Sequence, residues 1–224
     1  MATARTYGEA CGIPRALDRV GERWALMIVR ELVLGPKRFT DLRTGLPQAS
    51  PNVLAQRLKE LEEVGVVRKR RLPPPAASQV YELTDWGREL EAVLIALGRW
   101  GARAPAPPED AGMSLDSHLL SLTTLFDPEK AGKFEGTVEL RFGEHTFHAR
   151  VAGGRIEVAR GEAPGADAVV TSEPGTFLAI SHGRATLDDA LAMGELEIEG
   201  DREVVARFVT LFTLPAPAEM ASAA

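Results

Sequence analysis

The chain has 224 residues, a length that suits one large domain or two small ones, and 45% of them are apolar, enough for real cores. No apolar run is long enough to span a bilayer, and Met1 to Ala10 carries Arg5 and Glu9 without an apolar stretch. A single cysteine excludes an internal disulfide, so a cytoplasmic protein without a thiolate metal cluster is expected.

The formal net charge of -6 conceals an asymmetry. Residues 1–104 hold 17 Lys and Arg against 12 Asp and Glu, whereas residues 105–224 hold 9 against 20. Polyanion binding therefore belongs to the first half. "IPRALDRVG" predicts a short helix, with Pro14 near its start and Gly21 beyond its end. Trp24 to Leu34 is a dense apolar run stopped by Gly35-Pro36. "FTDLRTGLPQ" predicts one short helix with Thr40 as cap. "SPNVLAQRLKELEEVG" follows, with Ser50 at the N-cap, Pro51 at the first helical position and Gly65 after the end.

On that last helix Leu54, Leu58 and Leu61 share one face, and Asn52, Gln56 and Lys59 occupy the other. Any solvated helix needs a polar face. Amides and an ammonium near a capped N-terminus are also the groups that hydrogen-bond base edges in a major groove. "VVRKRRL" and "QVYELT" then read as a hairpin, joined by "PPPAAS" with Pro73, Pro74 and Pro75. A projecting hairpin after a helix-turn-helix is a wing. Its Arg68, Lys69, Arg70 and Arg71 bring charge to a phosphate backbone, and the earlier Lys37 and Arg38 join the same candidate set. Alternation sends Lys69 and Arg71 to one face and Arg68 and Arg70 to the other; the run also suits a basic edge strand that discourages edge pairing. "TDWGRELEAVLIALGRWG", capped by Thr84, carries a stripe of Trp86, Leu90, Val93, Leu94, Leu97 and Trp100, which suits a core face or a contact with a second copy.

The stretches "CGIPRALDRVGERWALMIVREL", "GPKRFTDL", "LAQRLKELEEVGVVR" and "YELTDWGREL" come in order and together resemble the HxlR family of bacterial winged helix-turn-helix transcription regulators. The resemblance covers about residues 11–101. It implies a homodimer, formed through the N-terminal helix and the Trp86–Trp100 helix, on palindromic double-stranded operator DNA. Family members usually carry proline directly after the cysteine, whereas Gly12 follows Cys11 here. Some relatives use the equivalent cysteine as a thiol sensor, which makes Cys11 a candidate redox sensor. Buried structural cysteine is the plainer alternative.

"ARAPAPPEDAG" reads as a Pro/Ala linker, and the acidic half begins beyond it. "GMSLDSHLLSLTTLF" is an amphipathic helix. "GTVELRF", "TFHARVA", "RIEVAR" and "ADAVVTSE" are strands, with Gly153-Gly154 as a tight turn. "PGTFLAISHG" and "TLDDALAMG" are short helices, "ELEIEG" is a strand and "REVVARFVTLFTL" is a closing helix. The run from "ADAVVTSE" to "IEGD" resembles the sterol carrier protein fold, a sheet covered by helices around an apolar tunnel. That resemblance implies binding of a fatty-acyl chain, sterol or other apolar small molecule by Phe142, Phe147, Phe177, Ile180, Leu187, Leu191, Phe208 and Phe212. A filled core used for dimerisation or partner contact is the alternative.

No nucleophile elbow, phosphate-binding glycine loop or H-E-x-x-H motif is present. His145 and His148 lie three apart near a strand and should face opposite sides, against a shared metal. No catalytic residue, metal, cofactor or membrane contact is expected. The expected fold is α+β: a winged helix-turn-helix domain (1–103), a linker (104–112), a sterol-carrier-like domain (113–214) and a flexible tail (215–224). The expected function is DNA-binding transcription regulation with a ligand-sensing second domain. The alternative is a hydrophobic-ligand carrier or partner-binding module whose winged domain only dimerises.

Overall fold

The computed structural model describes residues 6–74, 76–105 and 112–219. Pro75, most of the expected linker (106–111) and the end of the expected tail (220–224) lie outside the described residues. The chain divides into two compact units, Met1–Leu94 and Ile95–Ala224.

The first unit begins with α1 (Gly12–Val20), α2 (Ala25–Leu32) and α3 (Phe39–Gly45). Thr40 is not the cap of α3. It lies inside the helix, and the Asp41 carboxylate instead accepts the backbone N–H of Arg38 at 2.9 Å, satisfying a donor at the helix start. In α4 (Pro51–Glu63) the expected cap holds: Ser50 Oγ accepts the Val53 N–H, and Pro51 needs no partner at the first position. Leu54, Leu58 and Leu61 are fully buried with Ile28, Leu32 and Leu42. Each such side chain contributes about 1.5–3 kcal/mol of hydrophobic stabilisation.

Within this core sits a charge. Glu31 is fully buried, with Lys37 Nζ at 2.6 Å and Arg30 Nη2 at 2.8 Å from its oxygens. Gly45 makes room for it, since a Cβ there would stand 2.3 Å from Glu31 Oε2. Helix termination alone does not explain this glycine.

The hairpin of β1 (Val67–Arg71) and β2 (Gln79–Leu83) is antiparallel, with Arg68 opposite Glu82 and Arg70 opposite Val80. Lys37 adds a short third rung: its N–H donates to the Tyr81 carbonyl at 3.0 Å and its carbonyl accepts the Tyr81 N–H at 2.8 Å. The expected long helix after the hairpin is two, α5 (Asp85–Arg88) and α6 (Leu90–Gly101). Thr84 Oγ1 caps α5 by accepting the Gly87 N–H at 3.0 Å. Gly87 then lets the turn pass the wing base, where a Cβ would fall 2.1 Å from the Val66 carbonyl oxygen.

The second unit contains α7 (Leu115–Leu125), α8 (Pro128–Ala131), β3 (Gly136–Phe142), β4 (His145–Ala152), β5 (Arg155–Arg160), β6 (Ala168–Ser172), α9 (Pro174–Ser181), α10 (Leu187–Ala192), β7 (Leu196–Gly200) and α11 (Arg202–Phe208). The sheet runs β5-β4-β3-β6-β7, with β3 and β6 parallel and the other pairs antiparallel. Val138, Leu140, Phe147, Ala149 and Val170 line the buried face, beneath Leu119, Leu122, Val205 and Phe208 from the helices. The connection after β5 crosses the other face, where Ala163 N–H donates to Glu139 at 2.8 Å and the Gly161 carbonyl meets His148 Nδ1 at 3.0 Å. The closing helix is shorter than expected. Beyond Phe208 the chain straightens, Phe212 bridges Phe126, and Thr213 N–H donates to the Leu125 carbonyl at 2.8 Å.

Candidate functional site

The outer face of α4 presents Asn52, Gln56 and Lys59 to solvent. The Gln56 amide donates to Glu60 at 2.8 Å, and Lys59 stands 3.7 Å from Glu63. Ser50 is exposed at the N-terminus, with its hydroxyl engaged as the cap.

The wing cations are less free than their run suggests. Arg68 and Arg70 each place Nε on one oxygen of Glu82, at 2.7 and 2.8 Å. Burial pushes the Glu82 carboxyl up, but the hydrogen bonds and charges of both arginines more than offset this and hold it below the usual range. On the opposite face Lys69 Nζ lies 2.8 Å from Glu62 and 5.6 Å from the Tyr81 ring centre. The Glu62 hydrogen bond keeps this ammonium's pKa above its ordinary value, against the opposing effect of burial. Arg71 Nε reaches the Ala77 carbonyl at 3.4 Å, and Arg38 Nε donates to Ser78 Oγ at 3.1 Å. Lys37 does not belong with these residues: it is 8% exposed and its ammonium is engaged by buried Glu31.

Cys11 is exposed at the N-cap position of α1. Gly12, Arg15, Arg19, Val66, Trp86 and Val93 line a cavity of about 450 Å3 beside it in the first unit. Several apolar side chains that the sequence places on a contact stripe are exposed, namely Trp86, Val93, Leu97 and Trp100, together with Ile13 and Leu17 of α1; Leu94 is buried.

In the second unit the expected apolar set separates. Phe142, Phe147, Phe177, Phe208 and Phe212 touch one another in series, with ring centres 5.3–6.4 Å apart. These rings fill the interior, so the expected tunnel through it is not shown. The cavity found instead, about 580 Å3, is an open groove at the surface. Ile180, Leu187 and Phe212 line it, whereas Phe142, Phe147, Phe177, Leu191 and Phe208 do not. Sequence reading missed the rest of its wall: Ser181, His182, Val209 and Leu214 among others.

Comparison with known proteins matches residues 19–108 to the HxlR-like helix-turn-helix family. The uncharacterized HTH-type transcriptional regulator YvaP of Bacillus subtilis is 38% identical over 86 residues, 38% of this chain and 80% of the relative. The chain belongs to the HxlR-like helix-turn-helix family. A second HTH-type transcriptional regulator, Mb3122 of Mycobacterium bovis, is 38% identical over 114 residues, 51% of this chain and 70% of that one. Among solved structures, the redox regulator HypR in its oxidized form is 28% identical, with a TM-score of 0.40, over 43% of this chain and all of that one. The HxlR-like match begins within α1, so Cys11 precedes it. Residues 110–218 match a second family, the alkyl sulfatase C-terminal family.

The neutralising partners in the HxlR-like unit, Glu82 and Glu62, also escaped the sequence reading. Their signal is weak because pairing Arg68 with Glu82 needs the hairpin register, which a long proline-rich tip does not fix.

Proposed function

We propose that this HxlR-like protein is a transcription regulator that binds palindromic operator DNA as a homodimer and acts without catalysis in the cytoplasm. The observation that carries the reading is one compact unit holding a capped α4, with Asn52 and Gln56 outward, and a hairpin bearing Arg68, Lys69, Arg70 and Arg71. α4 reads base edges through Asn52, Gln56 and Lys59, with the N-terminus at Ser50 toward the backbone. The wing and Arg38 bind phosphates; Lys37 serves the core. The exposed Ile13, Leu17, Val93, Leu97 and Trp100 meet a second copy. Cys11, exposed at a helix start, reports oxidants by forming a reducible adduct that changes operator affinity. The second unit holds an apolar small molecule as effector, and its surface groove supports that role.

The test is selection of bound duplexes from a random pool by the full chain, followed by titrations at several salt concentrations. Asn52→Ala and Gln56→Ala should change the preferred sequence. Arg70→Ala with Arg71→Ala should weaken binding to every duplex and flatten the salt dependence by up to about 0.9 per lost phosphate contact. A wild-type protein with no sequence preference would overturn the regulator reading.

A further inference from the structure

The two ends of a carboxamide are alike in shape and opposite in hydrogen-bonding sense, so what it binds depends on which way it is turned. On α4 a neighbour decides the turn of Gln56. Gln56 Nε2 donates to Glu60 Oε1 at 2.8 Å, one helical turn further on. An ionised carboxylate accepts and does not donate, so the amide nitrogen must face it and the amide carbonyl must face away.

Glu60 is itself held in place. Its other oxygen takes Arg57 Nη1, and Arg57 Nη2 stands 3.3 Å from Glu22 Oε2, in the turn between α1 and α2. The Arg57 side chain is only 20% exposed and its Nε lies buried without a partner, so this guanidinium is committed to the two carboxylates rather than free for a phosphate. Both Glu60 oxygens are therefore engaged. Gln56, by contrast, is exposed, and its carbonyl oxygen and second amide hydrogen meet no other group among the described residues.

That free pair is a specific pattern. An acceptor beside a donor matches the major-groove edge of adenine, which offers its N6 amino group and N7. Guanine offers two acceptors, O6 and N7, and would set O6 against the Gln56 carbonyl. An amide free to turn could show guanine its NH2 group instead; the Glu60 carboxylate removes that choice. In water an exposed pair of this spacing biases the amide only about twofold. The bias grows when DNA excludes water, because Arg57 already anchors the carboxylate and electrostatic preferences strengthen as the local dielectric falls.

We propose that Glu60 is a positioning residue for base recognition: by fixing the Gln56 amide, with Arg57 and Glu22 behind it, it makes Gln56 select adenine over guanine in each operator half-site. This rests on the reading of α4 as the base-reading helix, and adds the identity of one base and the residue that sets it.

The experiment selects duplexes from a random pool with the full-length wild type and its variants. Fluorescence anisotropy then compares duplexes that differ only at the position relaxed by Gln56→Ala. The wild type should prefer adenine to guanine there about tenfold or more. Glu60→Gln keeps the packing but inverts the pattern. Arg57 can meet only the oxygen of the replacement amide, whose NH2 then faces Gln56, so the Gln56 amide turns over and shows the groove two donors. Preference should move from adenine toward guanine at that position. Glu60→Ala should only relax the adenine preference, by about threefold or more, the worth of one hydrogen bond. Glu63→Gln removes the same charge from the same helix beside Lys59 instead of Gln56, so it should change affinity for all duplexes and leave the adenine-to-guanine ratio as in the wild type. A base other than adenine at the Gln56 position, a ratio unchanged in both Glu60 variants, or a ratio shifted equally by Glu63→Gln overturns the proposal. So does a cytosine preference lost in Glu60→Ala, which would make Glu60 a reader in its own right. Each of these results leaves the regulator reading standing, whereas a wild type with no sequence preference removes both.

Discussion

Replacing Glu82 by Gln sets two effects of opposite sign against each other. In the folded wing Glu82 holds Arg68 and Arg70 by their Nε atoms at 2.7 and 2.8 Å, which leaves their terminal nitrogens to meet phosphates. Removing its charge lessens repulsion of DNA. For a phosphate about 7 Å away in water, that gain is only ~0.6 kcal/mol before salt screening. Losing the anchor frees two long side chains, and ordering each again on binding costs about 0.5–1.5 kcal/mol. The second effect wins, so Glu82→Gln should weaken operator binding by roughly 0.5–2 kcal/mol, about 2- to 30-fold. The number of phosphates contacted does not change, so the slope of log affinity against log salt should stay as in the wild type. Fluorescence anisotropy with the selected operator, at four or five salt concentrations, measures both quantities, and a thermal melt checks the fold. Tighter binding by the variant, or a steeper slope, would refute the anchoring argument and make Glu82 a plain neutraliser.

Three further outcomes follow from the packing and the charges. Gly45→Ala puts a methyl group 2.3 Å from Glu31 Oε2, and pushing that carboxylate from its two cations should cost about 2–4 kcal/mol in denaturant unfolding; a loss below about 1 kcal/mol would mean the site relaxes freely. His182 has a folded value of about 4 against 6.5 in the open chain, so between these values the unfolded chain binds more protons. Its contribution is full above pH 6.5 and is lost as pH falls toward 4, and His182→Gln should flatten the stability profile in that window. Leu97→Glu with Trp100→Glu, at side chains 45% and 73% exposed, should halve the sedimenting mass with circular dichroism unchanged; an unaltered mass would place the self-contact elsewhere.

What the sequence disclosed depended on whether a residue's partner was local. Ser50 and Pro51 announce the start of α4, and Thr84 announces α5, because a cap acts over three residues. Alternation located the strands of the second unit for the same reason. Thr40 misled: a threonine before an apolar run looks like a cap, but Asp41 reaches back to Arg38 first. Gly45 looked like punctuation because Glu31, the group that needs its empty space, lies fourteen residues earlier. The five phenylalanines were legible as inward-facing, but not as facing one another, since that depends on how α9 and α11 cross the sheet. The groove was invisible because it joins the end of α9 and the turn beyond it to α11 and to a chain that leaves that helix early.

The short rung between Lys37 and Tyr81 has a mechanical consequence. Two backbone hydrogen bonds fasten Lys37, two residues before α3, to the second wing strand, its side chain is clamped to α2 through Glu31, and Arg38 holds Ser78 near the wing tip. Tilting the hairpin relative to α3 would break the backbone pair and the Arg38–Ser78 bond together, with the backbone pair alone costing about 1–3 kcal/mol. Wing and helices therefore move as one body. In a dimer of the kind proposed, a signal that changes DNA binding would shift this reading head as a whole rather than bend the wing within it.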